Sequence, residues 1–205
     1  WLADNGILLP AKAPASEESS LADRGKFTET FSKAIKDRAG SYLFMEGAHG
    51  YGKSTFCERF RISDKELVNL GAYCLLTSAS TLSADFRAQP SVFFDWLATG
   101  VAGLYSKQPP RKEDRSYPEV VRQTEQYLQA FSDYCANSQR QGVLFLDGLN
   151  EVTSAALLGE LIGLLPLKLP PKITVVLTAP NHAAVAALLG ARVKPTDVLA
   201  LPPLS

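Results

Sequence analysis

The sequence has few of the residues that build disulfide-linked or metal-stabilised folds. Its 205 residues include three cysteines, Cys57, Cys74 and Cys135, which are far apart and show no C-x-x-C spacing. This pattern argues against disulfides and zinc, and it favours a reducing, cytoplasmic location. Two histidines, His49 and His182, are too few for a histidine-rich metal site.

The chain also lacks an excess of either charge and a long apolar run. Lys plus Arg is 21 and Asp plus Glu is 21, so nothing indicates nucleic acid as a bulk electrostatic partner. The longest apolar region, 155–169, is interrupted by Glu160, Pro166 and Lys168, which makes it too short and too broken to span a bilayer. No signal peptide is visible. The length suits one α/β domain with a full core.

The N-terminal part of the chain differs in composition from the rest. It begins at Trp1 and has a single methionine, so we expect a piece of a longer protein. Residues 1–22 contain Pro10, Pro14 and a polar run, and they predict a linker. Residues 23–205 are predicted to form one nucleotide-binding core.

Beyond the linker, helical and extended patterns alternate. Helices are predicted at 22–38, 54–61, 91–105, 117–140, 154–165 and 181–189. Strands are predicted at 42–45, 71–77, 143–147, 172–178 and 197–201. Among the connecting segments, 64–70 is predicted to be a polar helix or loop, 78–89 a polar irregular connection and 106–116 a solvated mixed-charge loop. Because the strand runs are continuously apolar, we expect a mostly parallel sheet with helices on both faces.

Residues 47–55 carry the clearest chemical signal. They follow the apolar run 42–45, precede a helical segment and show the G-x-x-x-x-G-K-S spacing of a phosphate-binding P-loop. Backbone N–H groups of the loop and of the helix start would bind phosphate oxygens. Lys53 would add a mobile positive charge, and the Ser54 hydroxyl would bind Mg²⁺. The predicted nucleotide contacts in this loop are Gly47, Ala48, His49, Gly50, Tyr51, Gly52, Lys53, Ser54 and Thr55.

A second acidic signal follows another buried strand. Asp147 ends the apolar run 143–147, where a carboxylate is costly unless it has a partner. A Mg²⁺ ion held between Ser54 and a nucleotide phosphate would be such a partner. The alternative is an aspartate that caps the next turn, since Gly148 follows.

Two further residues are expected at the same site. Glu151 lies four residues after Asp147 and could activate the attacking water in phosphoryl transfer, although an exposed glutamate at the start of a helix would look the same. Ligands of parallel sheets bind at the carboxyl ends of the strands. We therefore expect Gly47, Asp147 and Thr178, which all follow or end strands, to meet there.

The P-loop at 47–55 and the segment 144–151, L-F-L-D-G-L-N-E, together resemble the NACHT branch of the STAND signalling ATPases. The resemblance covers roughly 23–205 and implies a three-layer P-loop NTPase fold that binds ATP or ADP with Mg²⁺. It also implies a nucleotide-dependent switch that self-associates through this core within a larger signalling protein, such as one of innate immunity. The lid, sensor and effector domains of such a protein are expected outside this chain.

The resemblance implies roles for four side chains and also has gaps. Lys53 and Glu151 would be catalytic, and Ser54 and Asp147 would bind the metal. However, Asn150 stands where the family usually has an acid, and 178–180 lacks the arginine of the family's T-S-R-P segment. Slow hydrolysis, or a nucleotide-binding scaffold without hydrolysis, would fit these departures.

Two other classes of P-loop protein stay open. An AAA+-type ATPase would need a recognisable arginine finger and a lid sensor, and no arginine finger can be assigned from the sequence. A small-molecule kinase would need an acceptor pocket and a lid, and neither has a motif here. The sequence also lacks an N-K-x-D guanine motif, which favours ATP over GTP.

Overall fold

A five-stranded parallel sheet forms the centre of the computed structural model. The model describes residues 25–63, 66–75, 82–111 and 114–203, so the predicted linker at 1–22 lies outside the described residues. The strands are β1 (Tyr42–Glu46), β2 (Leu67–Cys74), β3 (Gln141–Asp147), β4 (Ile173–Ala179) and β5 (Val198–Ala200). The helices are α1 (Gly25–Asp37), α2 (Lys53–Ser63), α3 (Ala84–Arg87), α4 (Pro90–Leu104), α5 (Tyr117–Asn137), α6 (Ala155–Gly163) and α7 (Ala186–Leu189).

The strand order brings separate parts of the chain to one end of the sheet. The order is β2-β3-β4-β1-β5, and every neighbouring pair is parallel. Glu46 at the end of β1 pairs with Ala179 of β4, and Cys74 at the end of β2 pairs with Asp147 of β3. The loops that follow β1, β3 and β4 therefore leave the same edge of the sheet.

Helices cover both faces of this sheet, as the sequence predicts. Successive strand residues point to opposite faces, so Phe44 joins one apolar cluster with α4, α5 and α6, while Leu43 joins another with α1 and α2. Phe31 of α1 is fully buried in the second cluster, and its ring centroid lies 5.2 Å from Phe56 and 5.0 Å from Phe60. The chain thus has the three-layer α/β fold of P-loop NTPases, with the P-loop between β1 and α2.

The predicted boundaries of β2 are wrong. Residues 67–70, predicted as polar helix or loop, form the first half of β2, and Leu67 and Val68 are buried. The strand ends at Cys74, three residues before the predicted end at 77. The alternation is disturbed because the register shifts between Asn69 and Gly71, and the Asn69 side chain accepts a hydrogen bond from the Gly71 N–H (2.8 Å).

The connection at 78–89 also differs from the irregular segment that we predict. Its described part contains α3, whose first turn is capped by Ser83, which accepts a hydrogen bond from the Phe86 N–H (3.1 Å). The predicted helix at 181–189 is a 3₁₀ turn followed by α7, and Asn181 caps the turn by accepting a hydrogen bond from the Ala183 N–H (2.9 Å). The other described helices and strands lie within a few residues of their predicted bounds. In the part of the chain that the structure describes, no helix has the length and apolarity needed to cross a membrane.

Candidate nucleotide-binding site

The loop between β1 and α2 has the backbone shape that an anion site requires. Gly50 and Gly52 have φ angles of 85° and 72°, which side chains other than glycine rarely adopt. A turn is closed by the Tyr51 N–H, which donates to the Ala48 carbonyl (3.2 Å). The Phe56 N–H of α2 donates to the carbonyl of Gly52, the residue just before the helix. The N–H groups at the start of α2 that come before Phe56 have no acceptor within the helix. Those N–H groups and the helix dipole face the loop, which suits a phosphate.

The Lys53 side chain lies along this loop. Its Nζ donates to the carbonyls of Gly47 and Ala48, the latter at 3.2 Å. Partial burial lowers the pKa of Lys53, and the negative charges of Asp147 and Glu151 partly offset this effect. The structure therefore brings the P-loop lysine into electrostatic range of both predicted acids.

Asp147 is buried between two neighbouring strands that donate to it. Its side chain is 2 % exposed, and its Oδ1 accepts a hydrogen bond from the Thr178 hydroxyl (2.5 Å). Its Oδ2 lies 3.8 Å from the Cys74 thiol, which donates only weakly. Among the described residues, the hydrogen bonds given for the Asp147 side chain come from Thr178 and Cys74 and none from the next turn. The Gly148 N–H donates to the Thr178 hydroxyl (3.0 Å).

The Asp147 environment fits a Mg²⁺ ion. Within the described part of the chain, the donor given for Oδ2 is a weak thiol, and a hard cation prefers a carboxylate oxygen to such a partner. Ser54 lies in the first turn of α2, next to Lys53. Among the described residues, no group of three or more His, Cys, Asp and Glu side chains could hold a metal ion by itself. A metal here would thus depend on Ser54, Asp147 and the phosphates, as the sequence predicts.

The loop after β3 presents Glu151 at the same edge. Gly148 turns the chain with a φ of 87°, and the Glu151 N–H donates to its carbonyl (2.9 Å). Glu151 is half-buried, and its Oε1 accepts a hydrogen bond from the Asn150 side chain (2.9 Å). Asn150, which departs from the NACHT-like pattern, therefore hydrogen-bonds the carboxylate of its neighbour Glu151.

The other predicted nucleotide contacts differ in exposure. Ala48 and His49 are exposed, while Tyr51 and Thr55 are half-buried. Tyr51 packs against the α1–α2 cluster, so its ring supports the loop. Thr178 is fully buried, and its hydroxyl is engaged by Asp147 and Gly148 rather than directed at a ligand.

Three residues of the site were not predicted from the sequence. Cys74 reaches Asp147 only through the register of β2 with β3. Arg87 of α3 is 5 % exposed and donates to the carbonyls of Cys74 (2.6 Å) and Leu75 (3.0 Å), which fixes the end of β2. Asp85 binds the loop after Glu151. Only the three-dimensional fold reveals these contacts, because no local pattern marks them.

Comparison with known proteins gives a likeness of fold only. No family model and no curated protein matches the chain. Among solved structures it is similar to the ORC1 protein of Aeropyrum pernix in complex with DNA, with 16% identity and a TM-score of 0.48, covering 97% of this chain and 47% of that one. It is also similar to Drosophila ORC bound to DNA, with 16% identity and a TM-score of 0.47, covering 97% of this chain and 44% of that one. The chain thus spans less than half the length of these proteins.

Proposed function

We propose that the chain is the nucleotide-binding core of a NACHT-type ATPase that binds ATP with Mg²⁺ and hydrolyses it slowly. The observation that carries this proposal is the meeting of the P-loop, Asp147 and Glu151 at one edge of the sheet, with Lys53 in electrostatic range of both acids. The P-loop, Asp147 and Glu151 could each, taken alone, have a purely structural role. Their meeting, from separate stretches of the chain, is what a triphosphate site requires.

The P-loop would hold the phosphates. Gly50 and Gly52 give the backbone its turn, and the N–H groups at the start of α2 would donate to the phosphate oxygens. Lys53 would exchange its two carbonyl acceptors for the outer phosphates. Its lowered pKa would rise again, because an anion favours the charged form.

Hydrolysis would be assisted by Glu151. Its carboxylate would accept a proton from water as the water oxygen bonds to the outermost phosphorus, while the bond from that phosphorus to the bridging oxygen breaks and ADP leaves. Asn150 would orient the carboxylate through its side-chain hydrogen bond. A Mg²⁺ ion bound by Ser54 and Asp147 would neutralise phosphate charge.

The nucleotide would act as a switch. A ligand shifts a conformational equilibrium only as far as it binds one state better than the other, so ATP and ADP would favour different arrangements of this core and its flanking domains. In a cytoplasmic signalling or defence protein, one of these arrangements would self-associate. An AAA+-type role for the same core is the closest alternative within P-loop ATPases.

A scaffold that binds nucleotide without hydrolysing it is the second candidate. It is favoured by two contacts: Asn150 already occupies one oxygen of Glu151, and the Thr178 hydroxyl is engaged by Asp147 and Gly148. Neither group would then act on the outermost phosphate. In this case Glu151→Gln would leave nucleotide binding unchanged, and there would be no turnover to lose.

Binding and turnover by the purified 205-residue chain test the proposal. ATP, ADP and GTP are compared with and without Mg²⁺, for the wild type, Lys53→Ala and Glu151→Gln. We expect Mg²⁺-dependent ATP turnover that both variants lose, while Lys53→Ala alone also weakens binding. The matched controls are Lys33→Ala on the exposed side of α1 and Glu160→Gln on α6, which should leave both quantities unchanged. Binding that is the same in Lys53→Ala and the wild type would contradict the proposal.

A further inference from the structure

The loop that carries Glu151 is held at both ends by side chains from outside it. At its start, Thr178 accepts the Gly148 N–H (3.0 Å), and Leu149 is fully buried. At its end, the carboxylate of Asp85 accepts from the Thr153 N–H (2.7 Å), the Thr153 hydroxyl (2.6 Å) and the Ser154 N–H (3.2 Å). Glu151 lies between these two attachments.

The helix that carries Asp85 is held by buried residues on both sides of this residue. Asp85 belongs to α3, whose Ala84 is 2 % exposed, and Ala88, which follows the helix, is fully buried. Arg87, two residues after Asp85, ties the helix to the carboxyl end of β2 through the carbonyls of Cys74 and Leu75. The Tyr73 hydroxyl donates back to the Arg87 carbonyl (2.5 Å). The Asp85 carboxylate therefore has a position fixed by the same strand that borders Asp147.

We infer that Asp85 is a positioning residue for Glu151, and that it acts by holding residues 148–154 in the arrangement needed for hydrolysis. This inference rests on the proposed function. Asp85 is 68 residues from Thr153 in sequence, and it does not contact Glu151 in the described contacts. Its effect on the reaction would be indirect, through the backbone N–H groups that it binds.

The alternative is a purely structural role, in which Asp85 only stabilises the start of α6. That helix already has its own cap, since the Ser154 side chain accepts from the Leu157 N–H (3.3 Å). Asp85 binds N–H groups that come before the first helical residue, Ala155. It thus restrains the connecting loop more than the helix, which is why a kinetic effect is expected. The hydrogen bonds from the Thr153 hydroxyl and from the Ser154 and Thr153 N–H groups also lower the pKa of Asp85, so the carboxylate stays ionised at neutral pH.

The test compares Asp85→Ala and Asp85→Asn in the 205-residue chain. We expect Asp85→Ala to lower kcat for ATP at least tenfold while KM changes less than twofold, because the phosphates are bound by the P-loop. Asp85→Asn keeps one oxygen for the two N–H groups and should restore most of kcat. Ser83→Ala weakens the cap of α3 without removing the carboxylate, and it should lower the melting temperature without lowering kcat.

A double variant shows whether Asp85 acts through Glu151. If Glu151→Gln already removes turnover, adding Asp85→Ala should have no further effect. Equal losses of kcat in Asp85→Ala and Ser83→Ala would overturn the inference, since α3 stability alone would then explain them. An unchanged kcat in Asp85→Ala would also overturn it.

A readout that does not need turnover separates this inference from the proposed function. Amide hydrogen exchange at Thr153 and Ser154 should be at least tenfold faster in Asp85→Ala, with the exchange of β3 unchanged. Unchanged exchange would overturn the inference whatever the chain does with ATP. If exchange rises but the wild type binds ATP without turnover, Asp85 would hold the loop of a nucleotide-binding scaffold. The proposed hydrolysis, and the positioning of Glu151 for it, would then both be wrong.

Discussion

At the scale of single residues, the site depends on how a buried carboxylate is satisfied. Asp147 is 2 % exposed, and an unpaired carboxylate in that position would be costly. The Thr178 hydroxyl solves this by donating to Asp147 while accepting from the Gly148 N–H. One side chain therefore connects β4, the end of β3 and the loop that leads to Glu151.

Replacing Thr178 with valine tests that connection. Valine keeps the shape but leaves both Asp147 and the Gly148 N–H without this partner, so we expect a loss of about 1–3 kcal/mol in the free energy of unfolding. Urea denaturation measures it. The matched control is Thr174→Val on the same strand: Thr174 is equally buried, but its hydroxyl accepts only a long bond of 3.4 Å from Gln141, so its loss should be less than about 1 kcal/mol. Equal losses of unfolding free energy in the two variants would show that the hydrogen bond to Asp147 adds no stability beyond that of an ordinary buried hydroxyl.

The residues proposed to bind phosphate could be named from the sequence because their pattern is local. Spacing alone locates Lys53 and Ser54, and the apolar run before Asp147 predicts its burial. The contacts of Asp85, Cys74 and Asn150 could not be predicted in the same way. Asp85 and Cys74 depend on which strands are neighbours, and Asn150 depends on how a turn directs its side chain.

At the scale of elements, apolar runs predicted the strands well where the sheet is regular. They failed at β2, because the register shift between Asn69 and Gly71 interrupts the pattern of buried and exposed residues. They also failed at α3, which has only four residues and therefore shows no helical period. Arg87 ties it to the end of β2, and the Ser83 side chain caps its first turn.

The contact between α5 and the sheet gives a prediction at this scale. A Cβ added to Gly142 of β3 would lie 2.7 Å from the Cys135 sulfur, 2.8 Å from Phe131 and 2.9 Å from Ile173. Gly142→Ala should therefore destabilise the chain by about 1–3 kcal/mol through overpacking. Gly159→Ala in α6, where a Cβ would meet nothing within 4 Å, should stabilise it by about 0.5–1 kcal/mol. Urea denaturation measures the unfolding free energy of both variants. A Gly142→Ala chain that is as stable as the wild type would mean that α5 can move away from the sheet at no cost.

At the scale of the whole molecule, the strand order determines which stretches form the site. The order β2-β3-β4-β1-β5 inserts β4 between β3 and β1, so Asp147 meets Thr178 directly while the P-loop lies on the far side of β4. Alternating helices and strands predict the layers but not this order. A ligand that touches the P-loop and Asp147 therefore links the two halves of the sheet.

Nucleotide binding should for this reason stabilise the entire fold rather than one loop. A ligand that binds only the folded chain, at one hundred times its dissociation constant, contributes about 2.7 kcal/mol, which raises the melting temperature of a chain of this size by roughly 5–10 °C. We expect this shift with ATP and Mg²⁺, a smaller one with GTP, and none with Lys53→Ala at the same concentration. Lys33→Ala should behave as the wild type, since it lies on the exposed side of α1. Differential scanning calorimetry measures the shift, and a shift that survives Lys53→Ala would place the nucleotide away from the P-loop.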